Sequence, residues 1–146
     1  MSYVDKSLIA NETVTFRTRL HWIIFGWPIL FLIVTGAVFY MGWTIAGEVL
    51  VAITFILFVA KYFVYIASEF AVTNKRVIIK VGVLQRRTLE MMLTKVEAIA
   101  VNQNILGQLF GCGTIIVTGT GGTKEPFSNI SSPLEFRRAV QASTTP

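Results

Sequence analysis

The chain has 146 residues, 53% of them hydrophobic and only 14% charged, with a formal net charge of +5. That length allows one modest folded domain beside any apolar segments, and the single cysteine, Cys112, excludes an internal disulfide framework and a cysteine-based zinc site. The basic balance is compatible with nucleic acid, but the positive charges flank long apolar runs, and the positive-inside bias of membrane proteins explains them more economically.

Residues 1–21 form a polar lead-in. Within it Val14 and Phe16 alternate with Thr15 and Arg17, which predicts a short strand or an extended segment at the membrane surface. Two apolar runs follow, at about 22–42 and 49–67, each near the ~20 residues that a helix needs to cross a hydrocarbon core. Neither carries the polar stripe of a half-buried helix, and the short connection makes them a hairpin spanning 22–67. The first run begins only at residue 22 and continues through Phe39, Tyr40 and Met41, which does not fit a cleaved signal peptide.

Between Trp22 and Ala60 the only charge is Glu48, whereas Lys6, Arg17 and Arg19 precede the hairpin and Lys61, Lys75, Arg76, Lys80, Arg86 and Arg87 end or follow it. This places both termini in the cytoplasm and the Trp43–Glu48 turn outside. His21, Trp22, Trp43, Lys61 and Tyr62 are the expected interface anchors, the rings at headgroup level and the lysine snorkelling. Pro28, about two turns into the first run, predicts a kink that serves packing. Gly36 and Gly42 lack GxxxG spacing.

From Glu69 the period changes to two. Phe70 and Val72, then Val77, Ile79 and Val81, define the inward sides of two strands joined at Asn74-Lys75. Two further strands, Gln85 to Leu93 and Lys95 to Gln103, are expected next. Asn104 to Gly113 (NILGQLFGCG) fits one or two helical turns ended by Gly111, and Thr114 to Thr118 is a β-branched strand. Gly119 to Gly122 (GTGG) is a hairpin turn without the spacing of a phosphate-binding loop, and Pro126 marks Lys124 to Ile130 as an edge strand. Ser132-Pro133-Leu134-Glu135 starts a final helix with a capping box, its apolar side formed by Leu134, Phe136, Ala139 and Val140, with Arg137 and Arg138 facing water. The predicted fold class is an α+β membrane protein: a two-helix hairpin, then an antiparallel β-barrel or sandwich at 68–142 closed by a helix, and a disordered tail at 143–146.

Three stretches carry a family resemblance: FAVTNKRVIIKVGVL (Phe70 to Leu84), IAVNQNILGQLFGCGTIIV (Ile99 to Val117) and ISSPLEFRRAV (Ile130 to Val140), with SLIANETVTFRTRLHW (Ser7 to Trp22) ahead of them. Together they resemble the bacterial pleckstrin-homology-like (PH-like) family in its membrane-anchored branch with two N-terminal spans. The resemblance implies a PH-type domain and no defined activity. It also implies a comparison with lipid-binding PH domains, under which Lys75, Arg76, Lys80, Arg86 and Arg87 would contact anionic headgroups. The competing reading makes these residues solvated and topology-setting.

Catalysis is not expected. His21 and Cys112 are each isolated from other reactive groups, and Glu69, Glu90, Glu97, Glu125 and Glu135 lack metal-ligand spacing, so no cofactor or metal is expected either. Asn11-Glu12-Thr13 and Asn129-Ile130-Ser131 match the glycosylation pattern, which a cytoplasmic placement leaves idle. Two functions stay open. One is a membrane-anchored interaction module that offers an edge strand, or the groove beside its C-terminal helix, to a partner protein, with Arg86, Arg87, Arg137 and Arg138 as contacts. The other is a lipid-sensing or membrane-organising protein that associates with itself. Its partners are membrane lipids and another protein or a second copy, not nucleic acid.

Overall fold

A computed structural model describes residues 3–83 and 86–144. In chain order the elements are α1 (Tyr3–Ser7), β1 (Val14–Thr18), a 3₁₀ turn (Trp22–Phe25), α2 (Gly26–Tyr40), α3 (Thr44–Ala67), β2 (Glu69–Thr73), β3 (Arg76–Val81) and β4 (Arg87–Met92). A second 3₁₀ turn (Leu93–Lys95) leads to β5 (Val96–Asn102), α4 (Ile105–Phe110), β6 (Cys112–Gly119), β7 (Lys124–Ser131) and α5 (Pro133–Thr144).

The strands make two antiparallel sheets, β1-β2-β3-β4 and β5-β6-β7, so the sandwich alternative holds and the closed barrel does not. Between them lies the core. Phe70, Val72, Val77 and Ile79 from the first sheet meet Ile115, Val117, Phe127 and Ile130 from the second, with Phe70 edge-on to Phe127 at 6.2 Å. Helix α5 closes the open side by inserting Phe136 and Val140, and Phe136 packs edge-on against Phe16 of β1. Burial of such side chains contributes ~1.5–3 kcal/mol each.

The lead-in strand belongs to the sheet: β1 pairs antiparallel with β2. The chain then crosses to the other sheet, since the Ser131 N–H donates to the Arg19 carbonyl and the His21 N–H to the Asn129 carbonyl. Strict alternation fails in β2 and β3. Ala71 and Ile78, on the side expected to face water, are fully buried because Val4 of α1 covers them, with Tyr3, Leu8 and Val14 around it.

Helices α2 and α3 form the expected hairpin and keep most of their large apolar side chains exposed, Leu32 and Phe55 among them. Both, counting the 3₁₀ turn with α2, are long and apolar enough to cross a membrane. At ~1.5 Å per residue, the 24 residues of α3 extend about 36 Å. Helix α3 starts at Thr44, ahead of the expected residue 49, because Gly42 (φ 81°) turns the chain within three residues and Gly47 leaves room for the Phe39 ring. Pro28 lies in the first turn of α2 rather than two turns in, because a 3₁₀ turn precedes it. There its missing N–H costs no helical hydrogen bond, and the expected kink has no cause. Thr35 and Thr54 face each other across the pair with hydroxyls 3.5 Å apart.

Local signals placed α4 well. The Asn104 side chain caps it by accepting from the Gly107 N–H at 2.7 Å, and Gly111 ends it in the left-handed region (φ 71°). At α5 the outcome differs. Among the described residues no capping-box hydrogen bond links Ser132 and Glu135; Ser132 instead takes φ 51°, its carbonyl accepting from the Phe136 N–H. Leu134 is exposed and Arg137 half-buried, since the helix turns Phe136 and Val140 inward. Ser143 and Thr144 complete α5 rather than starting a tail. Residues 145–146, Leu84 of the first resembling stretch and Gln85 of the expected third strand lie outside the described residues.

Candidate functional site

Among the described residues β5 is an edge strand, paired in its sheet with β6 alone, and its other side faces α5. On β5 the register shifts between Val96 and Ala98, so that Val96, Ile99 and Val101 are half-buried against the core while Glu97, Ala98 and Ala100 are exposed. Val140 fastens α5 to that core, and between strand and helix runs a groove of ≈ 420 Å³ lined by Val96, Glu97, Ala98, Ile99, Val140, Gln141 and Thr144. An unpaired strand edge beside a helix offers a row of backbone donors and acceptors, here with a mixed wall in which Gln141 and Thr144 are exposed and Val140 is buried. That is the chemistry of strand addition by a peptide, and it needs no titrating group.

The basic residues do not converge on one patch. Arg76 reaches inward: its Nε donates to Glu12 at 2.9 Å and its Nη1 to Glu90 at 2.7 Å. Lys80 is half-buried with its ammonium 4.6 Å from the centre of the Tyr3 ring. Arg87 pairs with Glu125 and lies over the Phe127 ring. Lys75 and Arg86 are exposed, the Lys75 Nζ donating to the Ala10 carbonyl at 2.9 Å. Arg137 and Arg138 sit apart on α5, the first with a buried Nε that has no hydrogen-bond partner among the described residues and the second exposed.

Sequence reasoning missed the clasp around Glu12, whose partners are 61 and 64 residues away. Burial opposes the charge on Glu12. The Arg76 guanidinium, the Ile9 N–H and the Thr73 hydroxyl outweigh it and hold the carboxyl below its usual range. The one local signal was a glutamate inside a turn, at the Ile9–Glu12 hydrogen bond. Burial pushes the Cys112 thiol above its ordinary value, which suits a small core side chain rather than a nucleophile.

Of the expected anchors, His21 is buried at the start of the 3₁₀ turn, where its Nδ1 accepts from the Ile23 N–H. Trp22, Trp43 and Tyr62 are exposed and Lys61 is half-buried. Trp22 and Tyr62 stand near the domain end of the hairpin and Trp43 at its far turn. Among the described residues, no three His, Cys, Asp or Glu side chains are grouped to hold a metal ion.

A family model described as bacterial PH domain matches residues 23–144. No curated protein and no solved structure matched.

Proposed function

The chain belongs to the bacterial PH domain family, and from that premise we propose that it is a non-catalytic interaction module held at the inner face of a bacterial membrane. In this reading α2 and α3 cross the bilayer, with the 3₁₀ turn extending α2, and the termini and both sheets are cytoplasmic. A partner protein docks as an added strand on β5, in the groove beside α5. The observation that carries the reading is the open edge of β5 against α5. The lengths and hydropathy of the two helices support the anchor. The positive charges that flank the hairpin support its orientation.

Headgroup recognition through the basic residues has weaker support. Three of the five cations proposed for it, Arg76, Lys80 and Arg87, are already engaged with Glu12 and Glu90, Tyr3, and Glu125. A photocrosslinker at the exposed Thr144 tests the docking reading in intact cells. It should trap a distinct protein, and Ala98→Trp, which fills the groove from an exposed position, should abolish the adduct. Raised salt should leave it in place, because backbone pairing and apolar contact are not screened. An adduct indifferent to Ala98→Trp, or one containing only lipid or the chain itself, would overturn the reading.

A further inference from the structure

Helix α4 contains no charged residue, yet it turns most of its apolar surface away from the core. Ile105 is 86% exposed, Leu109 75% and Leu106 57%. This is a built surface, not a frayed segment. Asn104 caps one end, Gly111 the other, and the Gln103 side chain donates to the Cys112 carbonyl at 2.9 Å behind it.

Position supplies what exposure alone does not. The Phe110 ring meets the Trp22 ring edge-on, 5.5 Å between centres, and Trp22 is the residue where the first long apolar helix begins. No slack separates that residue from the domain, because the preceding His21 is hydrogen-bonded through its N–H to β7. The outer face of α4 is therefore held level with the start of the apolar hairpin. Exposed Arg19 lies three residues ahead of Trp22, and Arg138 shares a cleft with Gln108, Leu134 and Glu135 beside α4.

We propose that α4 is an interfacial anchor. Ile105, Leu106 and Leu109 enter the boundary between headgroups and acyl chains of the bilayer that α2 and α3 cross, and Phe110 with Trp22 forms one aromatic rim there. The proposal rests on the membrane-anchored reading given above, and lipid is assigned as the occupant because the apolar face runs on from the first span. Interfacial segments seat their apolar residues ~5–10 Å into that boundary and keep basic side chains at headgroup level. The domain is then held at the surface by a third contact beside its two covalent ones, and the contact is apolar rather than electrostatic.

The test uses the full chain, with Cys112→Ser, in vesicles of phosphatidylcholine and phosphatidylglycerol. A bimane label is placed at Leu109→Cys in one sample and at Phe55→Cys, mid-hairpin, in another; both sites are exposed, and protease resistance checks the fold. The expected result at Leu109→Cys is blue-shifted emission, loss of iodide quenching, and stronger quenching by a shallow nitroxide lipid than by a deep one. At Phe55→Cys the deep nitroxide should dominate. Lipid quenching at Phe55→Cys with iodide access at Leu109→Cys would overturn the α4 proposal and leave the anchored reading standing. Lipid quenching at neither site would overturn both. Iodide shielding at Leu109→Cys without lipid quenching, together with crosslinking between chains through that thiol, would assign the face to a second copy and overturn the lipid contact.

Discussion

The two sheets are built from similar apolar strands and are used differently. In β3 the run Val77-Ile78-Ile79 is fully buried on both faces, while in β6 the run Ile115-Ile116-Val117 buries only its first and third members. The difference does not lie in either strand. Val4 and its neighbours return across some seventy positions to cover Ala71 and Ile78, whereas Ile116, opposite Pro126, stays half-buried. Alternation along a strand reports which face meets the nearer core. It is silent about whether a distant segment will cover the other face.

Four experiments sharpen or break that contrast, from the largest effect down. Ile79→Asp puts an unpaired charge at the centre of the sandwich and should cost more than ~4 kcal/mol. It should unfold both sheets while leaving the helical hairpin in the membrane fraction; normal protease resistance would refute the inward assignment of Val77 and Ile79. Glu12→Ala removes the buried carboxylate from a largely buried Arg76 guanidinium, which keeps only its outer pair with Glu90, and should cost about 3 kcal/mol. Hydrogen exchange should then rise first in β2 and β3 and leave β6 protected, whereas uniform loss would mean that the first sheet's outer cover is not a separate unit. Ile78→Ala should cost about 3 kcal/mol and Ile116→Ala under about 1, read by denaturant midpoints of the solubilised protein. A double-mutant cycle between Val4 and Ile78 should show a coupling of roughly 1 kcal/mol.

The smallest effect is acid release of the N-terminal cover. Because the folded carboxyl of Glu12 titrates below its ordinary value of 4.5, the stability it contributes is present above that value and is lost as pH falls through the depressed one. Asp5, whose pair with Arg17 also lowers its pKa, acts in the same direction. A proteolysis series below pH 4.5 should therefore free residues 3–12 before the sandwich gives way, and Glu12→Gln should remove most of that pH dependence.

Much of the fold was legible in the chain because the signals were local. Two apolar runs gave the hairpin, alternation gave the inward sides of β2 and β3, β-branched residues gave β6, and Gly111 marked the end of α4. The rest depended on partners far away in sequence. β1 read equally well as a surface segment until β2 lay beside it. Arg76 read as a headgroup contact or a solvated cation because nothing adjacent to it announces Glu12. The groove between β5 and α5 depends on how the helix lies across the sandwich, which no periodicity encodes, although both of its walls were expected as elements.

The junctions between hairpin and sheets have a mechanical consequence. Only Ser68 separates α3 from β2, and its hydroxyl donates to the Val64 carbonyl while accepting from the Gly82 N–H. On the other side Arg19 and His21 are pinned to β7 immediately before the 3₁₀ turn that leads into α2. A domain hung on two such welds has no swivel. A twist or tilt of the helix pair acts as torque on both sheets at once, through β2 on one side and β7 on the other, and the groove on β5 turns with them like the jaw of a wrench held by its handle.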